Sequence, residues 1–421
     1  MLVQATLSPF NEEMSTNTQI ERDPKVDRDW EDLARQWNIR SDTCYLNHGS
    51  FGISPTPVSD ERRRWIERLD CQPMDFYLRQ LEPGFHHSRH AIAKFLNTQS
   101  QNLVFVENAT YGMNIVANSL ELKSGDEVLL TDHEYGAVHR IWERRCHATD
   151  SVPKIAKLEF PFRSAEQVEE DIFSNVSSRT RLIVISHITS QTGTILPVQR
   201  ICDRARQSGI AVCIDGPHAP AQIELDLQKI GCDFYTASCH KWLCAPLGTG
   251  FLYAAPKWQS QMEPLVQSWG RLAPNEPQRW DEEMIWMGTR DPSGFFSIPK
   301  AIEFLEDVGL NSFRNRTHWL ANEALFQLKE LFQTDLIYPA SRDAFSGEQW
   351  FGSMCEIPLP ERLSASDIET LQIRLWQNHG IEVPVFSFED RHYLRVSFHL
   401  YNTTQDIDRL LEALKSENCV P

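Results

Sequence analysis

The chain is expected to fold as an α/β protein. Its large domain carries a mostly parallel sheet with helices on both faces, and a smaller α+β domain follows at the C-terminal end. Three observations predict this. Between Leu103 and Ala237, short apolar runs alternate with helix-period stretches, as in successive βαβ units. Within 211–254, three apolar runs (Ala211–Ile214, Asp233–Ala237, Gly250–Ala254) are each bounded by Gly, Pro or a charge, as buried strands are. Beyond Pro256 the pattern breaks into an irregular stretch rich in Trp, Pro and charge, then long helices and separated strands.

In chain order, the first 25 residues read as a polar tail, and Asp27–Ile39 as a short amphipathic helix. The stretch Cys44-Tyr45-Leu46-Asn47-His48-Gly49-Ser50-Phe51-Gly52 holds two glycines around a polar and aromatic core. It reads either as a loop whose backbone approaches something closely or as a plain turn, and on residues alone the turn is the commoner. Helices are expected at Pro57–Leu69 and Gly84–Leu96, and a strand at Leu103–Val106. Glu107-Asn108-Ala109-Thr110-Tyr111-Gly112 then turns into a helix ending near Leu120. Small and hydroxyl residues at a strand-to-helix turn suit an anion, because free N–H groups and the helix dipole meet there. Plain capping by Asn108 or Thr110 is the commoner use of such residues.

Further strands are expected at Glu127–Leu130, Lys154–Glu159 and Arg181–Ile185, with helices from Tyr135-Gly136 to Arg145 and from Pro197 to Gln207. The strand at Gly250–Ala254 is a candidate antiparallel addition. After the irregular Glu263–Trp286 segment come helices at Ser293–Val308 and Ser312–Phe332, a strand at Gly352–Pro358 and a helix at Ser364–Asn378. Strands at Ile381–Phe386 and Tyr393–Tyr401 and a last helix at Thr404–Ser416 complete the reading.

Composition narrows the partners. The 421 residues hold 41 Lys and Arg against 58 Asp and Glu, a net charge of −17. That argues against nucleic acid or an anionic membrane as a partner. No apolar stretch is long enough to span a bilayer, and the first residues lack the basic-then-apolar order of a secretory signal. The ten cysteines form no C-x-x-C pair and read as reduced thiols of a cytoplasmic protein. Cys239 and Cys244 flank a lysine but lack a second pair at ligand spacing, so no metal is expected.

The chemistry concentrates where two of the apolar runs end. Asp215 closes the first, and Ser238-Cys239-His240-Lys241 follows the second. Ligands of α/β proteins bind at the carboxyl ends of the strands. A lysine there among His, Trp, Cys and Pro is costly to bury unless chemistry retains it. An amine paired with a buried carboxylate points to Schiff-base chemistry on pyridoxal 5′-phosphate (PLP).

Eight motifs occur in one order: YLNHGSFG (45–52), ENATYG (107–112), DHEYGAV (132–138), SHITSQTG (186–193), IDGPHA (214–219), SCHKWLCAPLGTGFLY (238–253), GTRDPS (288–293) and LRVSFHLYNT (394–403). Together they span nearly the whole chain. In this order and spacing the sequence resembles the class V aminotransferase group of fold-type I PLP enzymes, and within it the isopenicillin N epimerase-like branch.

The resemblance implies a role for each matching residue. Lys241 would carry the cofactor, Asp215 would face the pyridine nitrogen, His218 would lie near the phenolic oxygen, and Tyr135 (or, as an alternative, His133) would stack on the ring. Ala109, Thr110, Ser238 and His240 would hold the phosphate, and Thr289 would reach the phosphate of a neighbouring subunit, so that a homodimer would share its active sites. Arg395 would grip the substrate carboxylate, with Asn47 and His187 lining the substrate side. Taken singly, His187 and His218 would more often be structural histidines, Arg395 a core ion-pair partner and Tyr135 an ordinary core aromatic. The implied organisation is a tail at 1–25, an N-terminal segment at 26–60 packing on the small domain and active site, a PLP-binding domain at 61–290 and a small domain at 291–421.

Three reactions on an amino acid fit such a site: epimerisation, β-elimination with C–S cleavage, and amino transfer. Cysteine desulfurases of this group carry a nucleophilic cysteine before the strand with the substrate arginine. Here the region HGIEVPVFSFEDRHYLRVSF (379–398) has none, and Cys355 falls inside an apolar strand pattern. A non-catalytic PLP or amino-acid binder is the reading from a different class, and the retention of Lys241, Asp215 and Arg395 argues against it.

Overall fold

The computed structural model describes residues 22–269, 279–347, 349–361 and 363–419. Most of the expected tail, and residues 270–278 of the Trp-rich segment, lie outside them. At the centre is a seven-stranded sheet in the order Leu103–Val106, Gly250–Ala254, Phe234–Ser238, Ala211–Asp215, Thr180–Ser186, Glu127–Thr131, Val152–Ala156. All neighbours are parallel except Gly250–Ala254, which runs antiparallel to both strands beside it. The expected antiparallel addition is therefore inserted between two strands rather than added at an edge. The inner strands are buried on both faces, which is why they read as continuous apolar runs.

Helices cover the sheet with amphipathic logic. Val198–Gln207 buries Val198, Ile201, Cys202 and Ala205. Its outward Arg200 and Arg204 pair with Glu169 and Glu170. The strand expected at Lys154–Glu159 runs instead over Val152–Ala156. It is an edge strand, mostly exposed, and an edge tolerates Pro153, which has no ladder N–H to give. The helix expected over Ser293–Val308 is two helices, Ser293–Phe296 and Ile298–Val308. Pro299 lies in the first turn of the second, the one place where its missing N–H is harmless. The first helix is reduced to a 3₁₀ turn, Asp27–Trp30, and one α-turn, Glu31–Ala34. That segment is pinned by its tryptophans: the Trp30 indole donates to the Asp23 carbonyl and the Trp37 indole to that of Ile53.

A second sheet, antiparallel and three-stranded, holds Val385–Phe388, Arg391–Ser397 and Met354–Pro358 in that order. Its middle strand stops at Ser397, where its partner begins at Met354, so the strand expected to reach Tyr401 ends early. The helix Leu310–Phe332 packs on Met354–Pro358, while Ile298–Val308 packs on Thr56–Cys71 and Leu81–Phe95. The N-terminal segment joins the far side: Cys44–Tyr45 pairs in parallel with Ile381–Glu382, and Asn47 bridges to Ser397. Among the described residues, no helix is long and apolar enough to cross a membrane.

Candidate active site

A cavity of about 410 Å³ opens at the carboxyl ends of the central strands. Asp215, Ser186 and Ser238 reach it from strand ends, and Asn108, Ala109 and Thr110 from the turn after Leu103–Val106. Tyr135 enters just after Glu127–Thr131, and His218, His240 and Lys241 from the loops after Asp215 and Ser238. Phe386 and Arg395 arrive from the small sheet, and Gly49, Ser50 and Phe51 from the N-terminal loop.

At the floor, the Lys241 Nζ lies 3.1 Å from His218 Nε2. Desolvation, with Arg395 adding to it and Asp215 opposing, lowers the Lys241 amine to about 7. Burial raises the Asp215 carboxyl to about 7, opposed by Lys241. Among the described residues, no hydrogen-bond donor reaches the Asp215 carboxylate. A buried carboxylate so placed is suited to a cationic N–H donor such as a pyridinium.

The anion end is built around one turn. Asn108 caps the helix Ala109–Ser119, its Oδ1 accepting from the Tyr111 N–H. The Ala109 N–H donates to Ser238 Oγ at 3.1 Å. Thr110, its first-turn N–H without an intrahelical acceptor, remains at the cavity for a phosphate. His240 is fixed nearby, with Nδ1 3.1 Å from the Thr249 carbonyl.

Arg395 is almost fully buried and stretched across the opposite wall. Its Nη1 donates to the Ser190 carbonyl (2.5 Å) and Nη2 to Ser50 Oγ (2.7 Å). Asn47 Oδ1 lies at the hydrogen-bond limit, 3.5 Å from Nη2. Phe386 packs under the guanidinium, 4.7 Å from ring centre to Cζ. Behind it, across the strand pair, the buried Glu356 carboxyl is pushed well above the usual range by desolvation, with Arg395 opposing.

Three expected residues stand apart from the cavity lining. Asn47 touches it only through Arg395. His187 hydrogen-bonds the Tyr235 hydroxyl through Nδ1 at 2.8 Å. Ser186, Ile188 and Ser190 line the cavity, while His187, in the bend just after the strand, turns to Tyr235 instead. Thr289 is exposed, in a turn held by an ion pair between Arg290 and Glu107 and by the Tyr77 hydroxyl donating to the Arg290 carbonyl. His133, the alternative to Tyr135, is packed among Phe160, Phe162 and Phe388, away from the cavity.

Other residues, given no role in the site from the sequence, enter around it. Gly52 lies on the lysine backbone, where a Cβ would come within 2.5 Å of the His240 and Lys241 carbonyl oxygens. His48, beside it, is 3.0 Å from the Lys241 carbonyl through Nε2 and 2.9 Å from the Tyr401 hydroxyl through Nδ1. A carbonyl only accepts, so Nε2 carries the proton and Nδ1 accepts from Tyr401. His48, Cys244 and His399 cluster beneath the lysine, where Cys244 Sγ is 3.3 Å from His399 Nε2. Cys244 thus has histidine neighbours and is not paired with Cys239. Glu134 is buried next to Asp215, accepting from Thr131 Oγ1 and Ser186 Oγ, both at 2.7 Å. Burial lifts its carboxyl to about 8.

An amine near neutrality, a carboxylate awaiting a cation, an anion-binding helix start and a buried arginine in one cavity define a PLP-dependent enzyme. The chain belongs to the aminotransferase class-V family, whose model matches residues 77–410. It is 34% identical to isopenicillin N epimerase from Amycolatopsis lactamdurans, over 92% of this chain and 98% of that one. It is also 29% identical to putative L-cysteine desulfhydrase 1 from Oryza sativa subsp. japonica, over 88% of this chain and 82% of that one. Among solved structures, the cystine C–S lyase C-DES in complex with cysteine persulfide is similar in fold, with a TM-score of 0.76 and 20% identity, covering 89% of this chain and 97% of that one.

Proposed function

We propose that the protein is an isopenicillin N epimerase-like enzyme that removes the Cα proton of an amino acid substrate and returns one to the opposite face. Bound PLP supplies a ring that accepts electrons from Cα and so acidifies its proton. Lys241, near neutrality, is suited to carry that proton, and Asp215 to hold the ring nitrogen protonated. Arg395 grips the substrate carboxylate as a planar two-pronged donor. Ala109, Thr110, Ser238 and His240 hold the phosphate.

The observation that carries the reading is the placement of two proton-bearing side chains. Lys241 follows the strand Phe234–Ser238 and Tyr135 follows Glu127–Thr131, so they enter the cavity from opposite sides of Asp215. Inversion needs two such groups, and Tyr135, half exposed, is the second. The test is incubation with a panel of L-amino acids and thioether amino acids in deuterated water. Wild type should exchange the α-proton and invert the centre. Tyr135→Phe should keep exchange at one face while inversion falls roughly 10²-fold or more, the usual size of a lost acid–base group. Inversion unchanged in Tyr135→Phe would remove the tyrosine from the mechanism.

A second reading, β-elimination from a cysteine derivative, is favoured by the similarity to L-cysteine desulfhydrases and by a cavity lining that holds Lys241 but no cysteine among the described residues. Pyruvate and ammonia from thioether amino acids, without inversion of any substrate, would establish it. The active unit in either case is a cytoplasmic homodimer, with Thr289 supplied across the interface. The segment at 26–60 acts with the small domain at 291–421 against the PLP-binding domain at 61–290.

A further inference from the structure

His218 has both ring nitrogens engaged. Nδ1 lies 3.3 Å from the Trp242 indole nitrogen, and Nε2 lies 3.1 Å from Lys241 Nζ. An indole N–H can only donate. It therefore requires a lone pair at Nδ1, and a neutral His218 must carry its single proton on Nε2. That N–H points at the reactive amine. A neutral amine can accept it through its lone pair, whereas an ammonium would meet it with a hydrogen.

We propose that Trp242 is a positioning residue that locks His218 into its Nε2–H tautomer, and that this N–H holds Lys241 as a free amine. The surroundings reinforce the lock. His218 is 1% exposed, its carbonyl accepts from the Gln222 side chain at 2.6 Å, and a Cβ on Gly49 would touch its ring at 3.6 Å. The ring cannot simply turn over, because that would set Cδ2–H against the indole N–H and Cε1–H against Lys241 Nζ. The charged groups facing it are Lys241, from the loop after Ser238, and Arg395, from the small sheet, while Asp215, at the end of the strand that leads to His218, acts on Lys241 by favouring its protonated form. Desolvation, reinforced by Lys241 whenever it is charged and by Arg395, depresses protonation of the ring, so the single-proton form is the one present at neutral pH.

Trp242 has a second attachment that a substitution must respect. Its indole packs against the His48 ring, 5.2 Å between centroids. Trp242→Phe keeps an aromatic body there and removes only the N–H. Freed from the donor, His218 can take the Nδ1–H form and present a lone pair to Lys241. That stabilises the protonated nitrogen, so the lysine should titrate higher.

The test has two arms. In the first, nitrogen-15 NMR of histidine-labelled protein reads the tautomer of His218 directly, with or without cofactor. Wild type should show an unprotonated Nδ1, and Trp242→Phe a mixture. A protonated Nδ1 in wild type would overturn the proposal. The second arm, which rests on the PLP reading, is a pH titration of the visible band of the lysine-bound cofactor. Trp242→Phe should move its midpoint upward by about one pH unit, a hydrogen-bond-sized change, with cofactor content unchanged. In a His218→Phe background the same substitution should move it no further, because no tautomer remains to select. An equal shift in that background would assign Trp242 a packing role and sink the idea. Protein without any visible band after added PLP would count against the cofactor reading, leaving the NMR arm to decide the tautomer.

Discussion

The two walls of the cavity are built on different terms. The cofactor wall is the end of one sheet: Asp215, Ser238 and Lys241 follow adjacent strands whose register is fixed by continuous ladders. The substrate wall is a junction. Arg395 comes from the small sheet, Ser50 and Phe51 from the N-terminal loop, and the Ser190 carbonyl from a loop of the large sheet. The first wall sets the chemistry through rigid placement, while the second sets what is held, through contacts that no single element owns.

The comparison can be broken hardest at the lysine. Lys241→Ala should abolish the visible cofactor band and lower kcat roughly 10²–10⁴-fold, read by spectroscopy and steady-state rates. On the other wall, Arg395→Lys should raise KM by roughly tenfold or more, with the band retained, because a point charge cannot reproduce a bidentate grip. Loss of the band in Arg395→Lys would show that the two walls are not separable.

The smallest effect is expected behind the cofactor wall, in stability. Glu134 titrates near 8 in the folded chain, above its unfolded value, so the folded state holds the extra proton between about 4.5 and 8. Stability from this group is therefore present at low pH and lost as pH rises through that window. Glu134→Gln removes the titration but keeps hydrogen-bonding capacity for Thr131 and Ser186. The fall in Tm from pH 6 to pH 9 should be shallower in the variant, by a ΔΔG on the order of a few kcal/mol at most. Parallel Tm profiles would show that Glu134 is charged throughout.

How much of this was legible in the sequence follows the same division. Asp215 and Lys241 stand out because a charge ending a buried apolar run has to be explained, and both line the cavity. The antiparallel strand and the last helix, Thr404–Ser416, were readable from local pattern alone. The turning of His187 to the Tyr235 hydroxyl was not available in the sequence, because the bend after Ser186 and the nearness of Tyr235 come from the fold. At Gly52 a close backbone approach was one of two readings open in the sequence, but what it approaches was not, because the crowding comes from carbonyls nearly two hundred residues later in the chain. Trp242 and Glu134 were hidden for the same reason. Each looks like an ordinary core residue until the fold supplies His218 to one and Ser186 to the other.

The inserted strand Gly250–Ala254 has a consequence in time as well as in space. Gly250 is the register partner of both Val106 and Ser238, and a side chain on it would press on the Ala237 carbonyl and the Asn108 backbone. The strand before the anion-binding turn and the strand that delivers the lysine are therefore joined within the sheet by a segment that leaves the ribosome after both, in addition to the direct bonds of Ala109 to Ser238 and Thr236. A nascent chain ending before it carries Thr110, Asp215 and Lys241 without the strand ladder that sets the first beside the other two. Long-range strand closure is slow to form. Cofactor capture should therefore be a late event in biogenesis, gated by one five-residue strand and not by the appearance of the reactive groups.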